Sequence, residues 1–190
     1  MPRNSVKLLT AAAFALLLLA DAPARAAGSV QQTFNATARV DGVCVMSTIG
    51  DLAFGTYDPV SANASSGLTG NTTFTVTCTR NASPVIISLS LSSNFGANIA
   101  GKRAMNNGSP GAGNFLSYDL FVPSGVGGPG STSASAAYWG DGTSGTSTFP
   151  VPSVPSISPQ TITIFGTVLP GQDVAVAANY SDSVTATVNF

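Results

Sequence analysis

The 190-residue sequence contains no His and no Glu. The first absence removes the side chain that most often serves as general base near neutral pH and as metal ligand. The second removes every site built on a glutamate. Charge is scarce as well. Seven Lys and Arg and eight Asp make up 8% of the chain, against about a quarter in an ordinary domain. A formal net charge of −1 offers no basic surface for nucleic acid or an anionic membrane. There are only two cysteines, Cys44 and Cys78, with no CxxC spacing to support a redox or metal pair. What replaces charge is Ser, Thr, Asn and Gly, with Val and Ala as the apolar material. That mixture favours strands joined by turns over helices.

The N-terminus carries an export pattern. Arg3 and Lys7 precede an uncharged apolar run over residues 8–20, too short to span a bilayer comfortably. Ala24-Arg25-Ala26 then offers a cleavage site. Residues 1–26 therefore read as a secretory signal peptide. The mature chain from Ala27 holds seven Asp and four basic residues. It has no further stretch apolar enough for a membrane span. In an exported chain with no third cysteine, a Cys44–Cys78 disulfide is the default.

Period-two alternation runs through the mature chain. Phe34, Ala36, Ala38 and Val40 alternate with Thr33, Asn35, Thr37 and Arg39. Similar runs cover residues 74–78, 85–91, 116–122, 161–168 and 184–190, the last with Val184, Ala186, Val188 and Phe190 on one face. Each reads as a half-buried strand. Asp58-Pro59, Asn107-Gly108, Pro110-Gly111 and Pro170-Gly171 mark turns between them. Residues 124–158 read as a long Gly/Ser/Pro-rich connection, mobile in part and interrupted by Trp139-Gly140-Asp141-Gly142. The expected fold is all-β, a sandwich of two antiparallel sheets.

The search for chemistry is negative. Gly125, Gly127 and Gly130 fit GxGxxG, but Pro129 interrupts it and no helical pattern follows. No GxSxG elbow is present, and a Ser-His-Asp triad is impossible without His. The Asp residues are scattered and suit turn capping better than paired-carboxylate catalysis or a Ca²⁺ site. No catalytic residue, cofactor site or metal site is expected. The Asn-x-Ser/Thr triplets at Asn35 and Asn71 fit a Thr-rich composition and need no glycan.

Several blocks, in order, resemble the spore coat protein U family. They are DLAFGTYDP at residues 51–59, TCT at 77–79, Met105, LSYDLF at 116–121, WGDGT at 139–143, LPGQ at 169–172 and YSDSVT at 180–185. The resemblance covers nearly all of residues 33–190. It implies an archaic chaperone–usher pilus subunit with an incomplete immunoglobulin-like sandwich. Residues 27–41 would be a donor strand and residues 42–190 the pilin domain. Phe34, Ala36, Ala38 and Val40 would enter the groove of a neighbouring copy. Val184, Ala186, Val188 and Phe190 would edge the acceptor groove. The partners implied are a periplasmic chaperone, an outer-membrane usher and other copies in a head-to-tail fibre at the cell surface, serving adhesion or biofilm formation. The competing expectation is a secreted coat or carbohydrate-binding sandwich that is complete by itself and does not polymerise.

Overall fold

The structure, a computed structural model, describes residues 27–124, 134–151, 154 and 156–190. The expected signal peptide, residues 1–26, lies outside them. Among the described residues there are nine strands: β1 (Cys44–Met46), β2 (Leu68–Cys78), β3 (Val85–Leu89), β4 (Arg103–Asn106), β5 (Phe115–Pro123), β6 (Ala134–Tyr138), β7 (Phe149–Val151), β8 (Gln160–Val168) and β9 (Ala186–Asn189). No helix occurs among the described residues. The strands form two antiparallel sheets. One runs β1-β2-β8-β5-β4 with β6 added to β5, and the other runs β7-β3-β9. The chain is an all-β sandwich.

Alternation places the core. On β2, Phe74, Val76 and Cys78 point inward while Thr73, Thr75 and Thr77 face outward, and Phe74 stands opposite Ile162 of β8. Ile87 and Leu89 of β3 close the interior from the other sheet. β-Branched Val, Ile and Thr suit these pleated, half-buried positions.

Three features differ from the sequence pattern. First, residues 27–43 carry no strand and are exposed throughout, although Thr33 to Val40 alternate cleanly. A strand needs a partner ladder as well as a pattern. Second, the supposed connection over residues 124–158 contains β6 and β7. Trp139 within it is fully buried, donates Nε1–H to the Ile87 carbonyl at 3.1 Å, and packs edge-on against Phe149 at 5.6 Å. The part of the connection over residues 125–133, with 152, 153 and 155, lies outside the described residues. Third, β5 is buried on both faces, so Ser117 and Asp119 are as enclosed as Leu116 and Leu120.

Burying Asp119 requires a partner. Lys102 supplies it, with Nζ 2.8 Å from the carboxylate and 3.6 Å above the Tyr138 ring centre. Burial pushes the Asp119 carboxyl above its ordinary range, and the hydrogen bond from Lys102 works against that push. Removing the ammonium leaves an unpaired buried charge. Lys102→Met is expected to lower unfolding stability by about 3 kcal/mol near neutral pH. Because protonation neutralises the stranded carboxylate, that deficit should shrink as pH falls. Urea unfolding of both proteins at neutral and acid pH checks this. A deficit independent of pH would mean that lost packing, not charge, dominates.

Candidate binding groove

The two sheets each end in a strand with one side unpaired. Among the described strands β9 pairs only with β3, in the register Leu89↔Ala186, Ile87↔Val188. Ser90 N–H donates to the Thr185 carbonyl at 2.8 Å. In an antiparallel ladder a residue turns both main-chain groups the same way, and successive residues alternate. Thr185, Thr187 and Asn189 therefore face β3, while Ala186 and Val188 direct N–H and C=O away from it. The alternation extends upstream. Ser181 bonds Asn106 through both main-chain groups, at 2.9 and 3.0 Å, which leaves Asp182 and Val184 facing the unpaired side.

β1 is an edge strand of the larger sheet, and the segment that follows it, over residues 49–57, supplies the opposite wall. Thr79 N–H donates to the Val43 carbonyl, and Ser47 N–H to the Thr75 carbonyl. By the same rule Cys44 and Met46 face away from β2. Cys44 and Cys78 stand opposite each other in the ladder and are joined by a disulfide. β1 lasts only three residues. The chain then leaves β2, and Leu52 and Phe54 lie flat on the sheet.

Glycine makes that crossing possible. Gly70 and Gly166 are opposite one another on β2 and β8. A Cβ at Gly166 would stand 2.8 Å from both Leu52 Cδ2 and Phe54 Cζ, and one at Gly70 would meet the same two side chains at 3.2 Å. The Phe54 ring then meets Tyr118 edge-on at 5.9 Å. Tyr57 fixes the end of the segment. Its hydroxyl donates to the Leu169 carbonyl at 2.9 Å and accepts from Gln172 N–H at 3.0 Å. The buried Gln172 side chain grips β5 in turn. Its Oε1 accepts from Ser117 N–H at 2.6 Å, and its Nε2 donates to the Ser117 carbonyl at 2.9 Å.

Between these walls run two clefts of about 530 Å³ each. The first is lined by Tyr57, Leu68, Leu116, Val168 and Val174. The second is lined by Ile49, Leu89, Leu120, Ile164, Val184 and Ala186. Leu52, Phe54, Met105 and Tyr180 line both, so the clefts form one groove pinched at those residues. Polar groups share the lining, Thr56 and Asn179 in the first cleft and Asp51, Thr72, Ser181 and Ser183 in the second, and the Tyr118 hydroxyl donates to Asp182 Oδ2 at 2.6 Å. Burial, reinforced by that bond, pushes the Tyr118 phenol far above its ordinary range, so the hydroxyl stays a neutral donor. No group of three or more potential metal ligands occurs among the described residues. What the groove can offer is apolar side chains beside one row of main-chain donors and acceptors turned away from β3, the requirements of an added strand.

Of the residues expected at the acceptor edge, Val184 and Ala186 line the second cleft. Val188 is half-buried farther along β9, and Phe190 lies beyond the strand, 58% exposed. Phe34 and Val40 are 87% and 81% exposed, and Ala36 and Ala38 are exposed with them. Leu52, Phe54, Met105 and Tyr180 were not anticipated as groove residues. Their signal was present, because Leu52, Phe54 and Tyr180 sit inside two of the resembling blocks and Met105 is itself one of the matched positions.

The Spore Coat Protein U domain model matches residues 30–187 of this chain. The chain belongs to that family. It is also 33% identical over 196 aligned residues to Protein U of Myxococcus xanthus, covering 98% of this chain and 99% of that protein. Membership of the Spore Coat Protein U family supports a coat or surface role for an exported protein. It also gives the motif blocks a structural meaning here. Tyr57 of the first block and Gln172 of the LPGQ block bond to each other and hold one end of the groove.

The glycine pair carries a consequence. Gly166→Val should force Leu52 and Phe54 off the sheet and destabilise the fold by about 1–3 kcal/mol, as overpacking does. Chemical denaturation measures the loss, and unchanged stability would show that the segment over residues 49–57 does not depend on the sheet beneath it.

Proposed function

We propose that this protein is a non-catalytic structural subunit of a surface fibre, assembled by donor-strand exchange. Residues 27–41 of one copy fill the groove of the next, placing Phe34, Ala36, Ala38 and Val40 inward. The observation that carries the reading is a pair. The chain has a groove with apolar side chains in its lining beside the unpaired edge of β9, and it has an exposed alternating segment that joins no strand among the described residues. Strand addition of this kind is a known mode of recognition, in which main-chain bonds give affinity and alternate side chains give fit.

The energetics favour the pairing. Fully burying Phe34 and Val40 contributes roughly 1.5–3 kcal/mol each, and the ladder adds binding that depends on no side chain. Donor and acceptor are different surfaces, so the contact is head-to-tail and propagates without closing. During export the same groove needs a temporary strand, the role assigned to a periplasmic chaperone, with exchange at an outer-membrane usher. The finished fibre serves adhesion or biofilm formation at the cell surface.

Surface-shed protein run in detergent with and without boiling tests this. Donor-strand polymers persist for kinetic reasons and come apart on heating. The expected result is a ladder that collapses to one band near the mature mass. A single band in both lanes would favour a self-complete coat or carbohydrate-binding domain. Deleting residues 27–41 should abolish the ladder while leaving a chaperone-bound subunit. Phe34→Asp should shorten or abolish it, because an unpaired carboxylate would enter the groove among its apolar side chains. Ladders of wild-type length in both variants would remove the donor segment from the mechanism.

A further inference from the structure

We infer that the incoming segment runs antiparallel to β9 with Phe34 opposite Ala186, which sets Val30 opposite Phe190 and Val40 opposite Tyr180. This register rests on the reading that residues 27–41 of a second copy fill the groove, and it goes beyond that reading by fixing direction and alignment.

Parity comes first. Even-numbered residues from 30 to 40 share one face of an extended segment, and the even-numbered edge residues Asp182, Val184, Ala186 and Val188 face the unpaired side. A one-residue slip would turn Thr33, Asn35, Thr37 and Arg39 into the groove and bury the Arg39–Asp41 ion pair in it. Only even-with-even alignments remain.

Size chooses among them. Phe34 is the largest side chain on the incoming face, and directly opposed residues place their Cβ atoms about 4.5–5.5 Å apart. Of Val184, Ala186 and Val188, the alanine leaves the most room. Behind Ala186 the second cleft is floored by Leu89, Leu120 and Ile164, an apolar seat for an aromatic ring.

Direction follows from where the clefts lie. The second cleft borders residues 180–184 and Ala186, and the first borders residues 174–180. From Phe34 at Ala186, an antiparallel segment carries Ala36 past Val184 and Ala38 past Asp182. There a small side chain leaves the Tyr118–Asp182 bond undisturbed. Val40 then arrives at Tyr180, where the two clefts meet. At the other end Val30 meets Phe190, and both are exposed in the unfilled chain. Gln32 falls opposite Val188, near the exposed end of the edge. A parallel segment in the same seat sends Ala38 to Phe190 and Val40 away from both clefts. It brings no side chain to the junction of the two clefts and sets Gln32 against Val184.

Paired cysteines in the assembled fibre test the register, because opposed residues can be bridged and diagonal neighbours about 7–8 Å apart cannot. The full chain carries Phe34→Cys with Ala186→Cys, or Val30→Cys with Phe190→Cys. Each pair should give a ladder that survives boiling without reductant and collapses with it. Phe34→Cys combined with Val184→Cys or Val188→Cys should give only the heat-labile ladder of the parent. Ala38→Cys with Phe190→Cys reports the parallel arrangement and should also fail to link. Cys44 and Cys78 are joined within one copy and do not confuse the readout. The pair at residues 30 and 190 lies on exposed positions, so it remains informative if a groove substitution impairs folding. Covalent ladders from a control pair, or from none of the pairs in a fibre that still forms, overturn the register and leave donor-strand exchange standing. Absence of any heat-labile ladder in the parent protein overturns exchange itself.

Discussion

Main-chain hydrogen bonding at the unpaired edge of β9 is the constraint around which the groove is arranged. β9 satisfies one side of its backbone and leaves the other side free where Ala186 and the preceding Val184 border a cleft. Water can serve those groups only while the cleft is wet. Once apolar side chains cover it, each unsatisfied donor or acceptor costs about 1–3 kcal/mol. Covering with a strand is the arrangement that hides the apolar floor and pairs the backbone together. A loop or a detached side chain could do the first and not the second.

Holding such a groove ready demands a frame that does not collapse into it. The frame is built from contacts distant in sequence. Leu52 and Phe54 rest on the Gly70–Gly166 pair, while Tyr57 ties that segment to Leu169 and Gln172. Gln172 then grips Ser117 on β5. On the far side Trp139 pins its own segment to Ile87 and Phe149. The disulfide ties β1 to β2 and closes a separation of 34 residues, a constraint on the unfolded chain worth roughly 3–4 kcal/mol in the chain-entropy model. These contacts hold the walls and leave the space between them free.

Much of this architecture is legible in the sequence, and the exceptions have physical reasons. Long alternating runs declared β2, β5 and β8, because one or both faces of each meet the core. β4 and β7 escaped notice because three or four residues, one of them a proline in β7, carry too little period to register. Trp139 sits among small polar residues whose composition suggests solvent. Only the fold reveals that its ring fills the space between β3 and β7. Ser117 and Asp119 look like outward residues of an alternating strand, and their burial depends on Gln172 and Lys102 arriving from elsewhere in the chain. The groove residues were visible only as motif blocks, because a cleft between two distant segments has no local signature. Phe34 to Val40 shows the reverse case, a clear strand pattern without a ladder. A pattern reports which face seeks burial, and it does not say in which molecule that burial occurs.

The composition of the alternating segment fits this division of labour. Its inward face combines one aromatic, two alanines and a valine, where a core strand such as β3 presents Val85, Ile87 and Leu89. A strand made only of large groups would bind more tightly and would also form a stickier exposed surface before docking. Alanines reduce both. In the proposed docking, affinity is concentrated at Phe34, which seeks the second cleft, and Val40, which reaches the junction of the two, while the ladder between them supplies binding that is indifferent to side chain. The outward face of Thr33, Asn35, Thr37 and Arg39 keeps the free segment soluble and opposes a slipped register. In that arrangement the same residues that keep the free segment from aggregating also enforce how it docks.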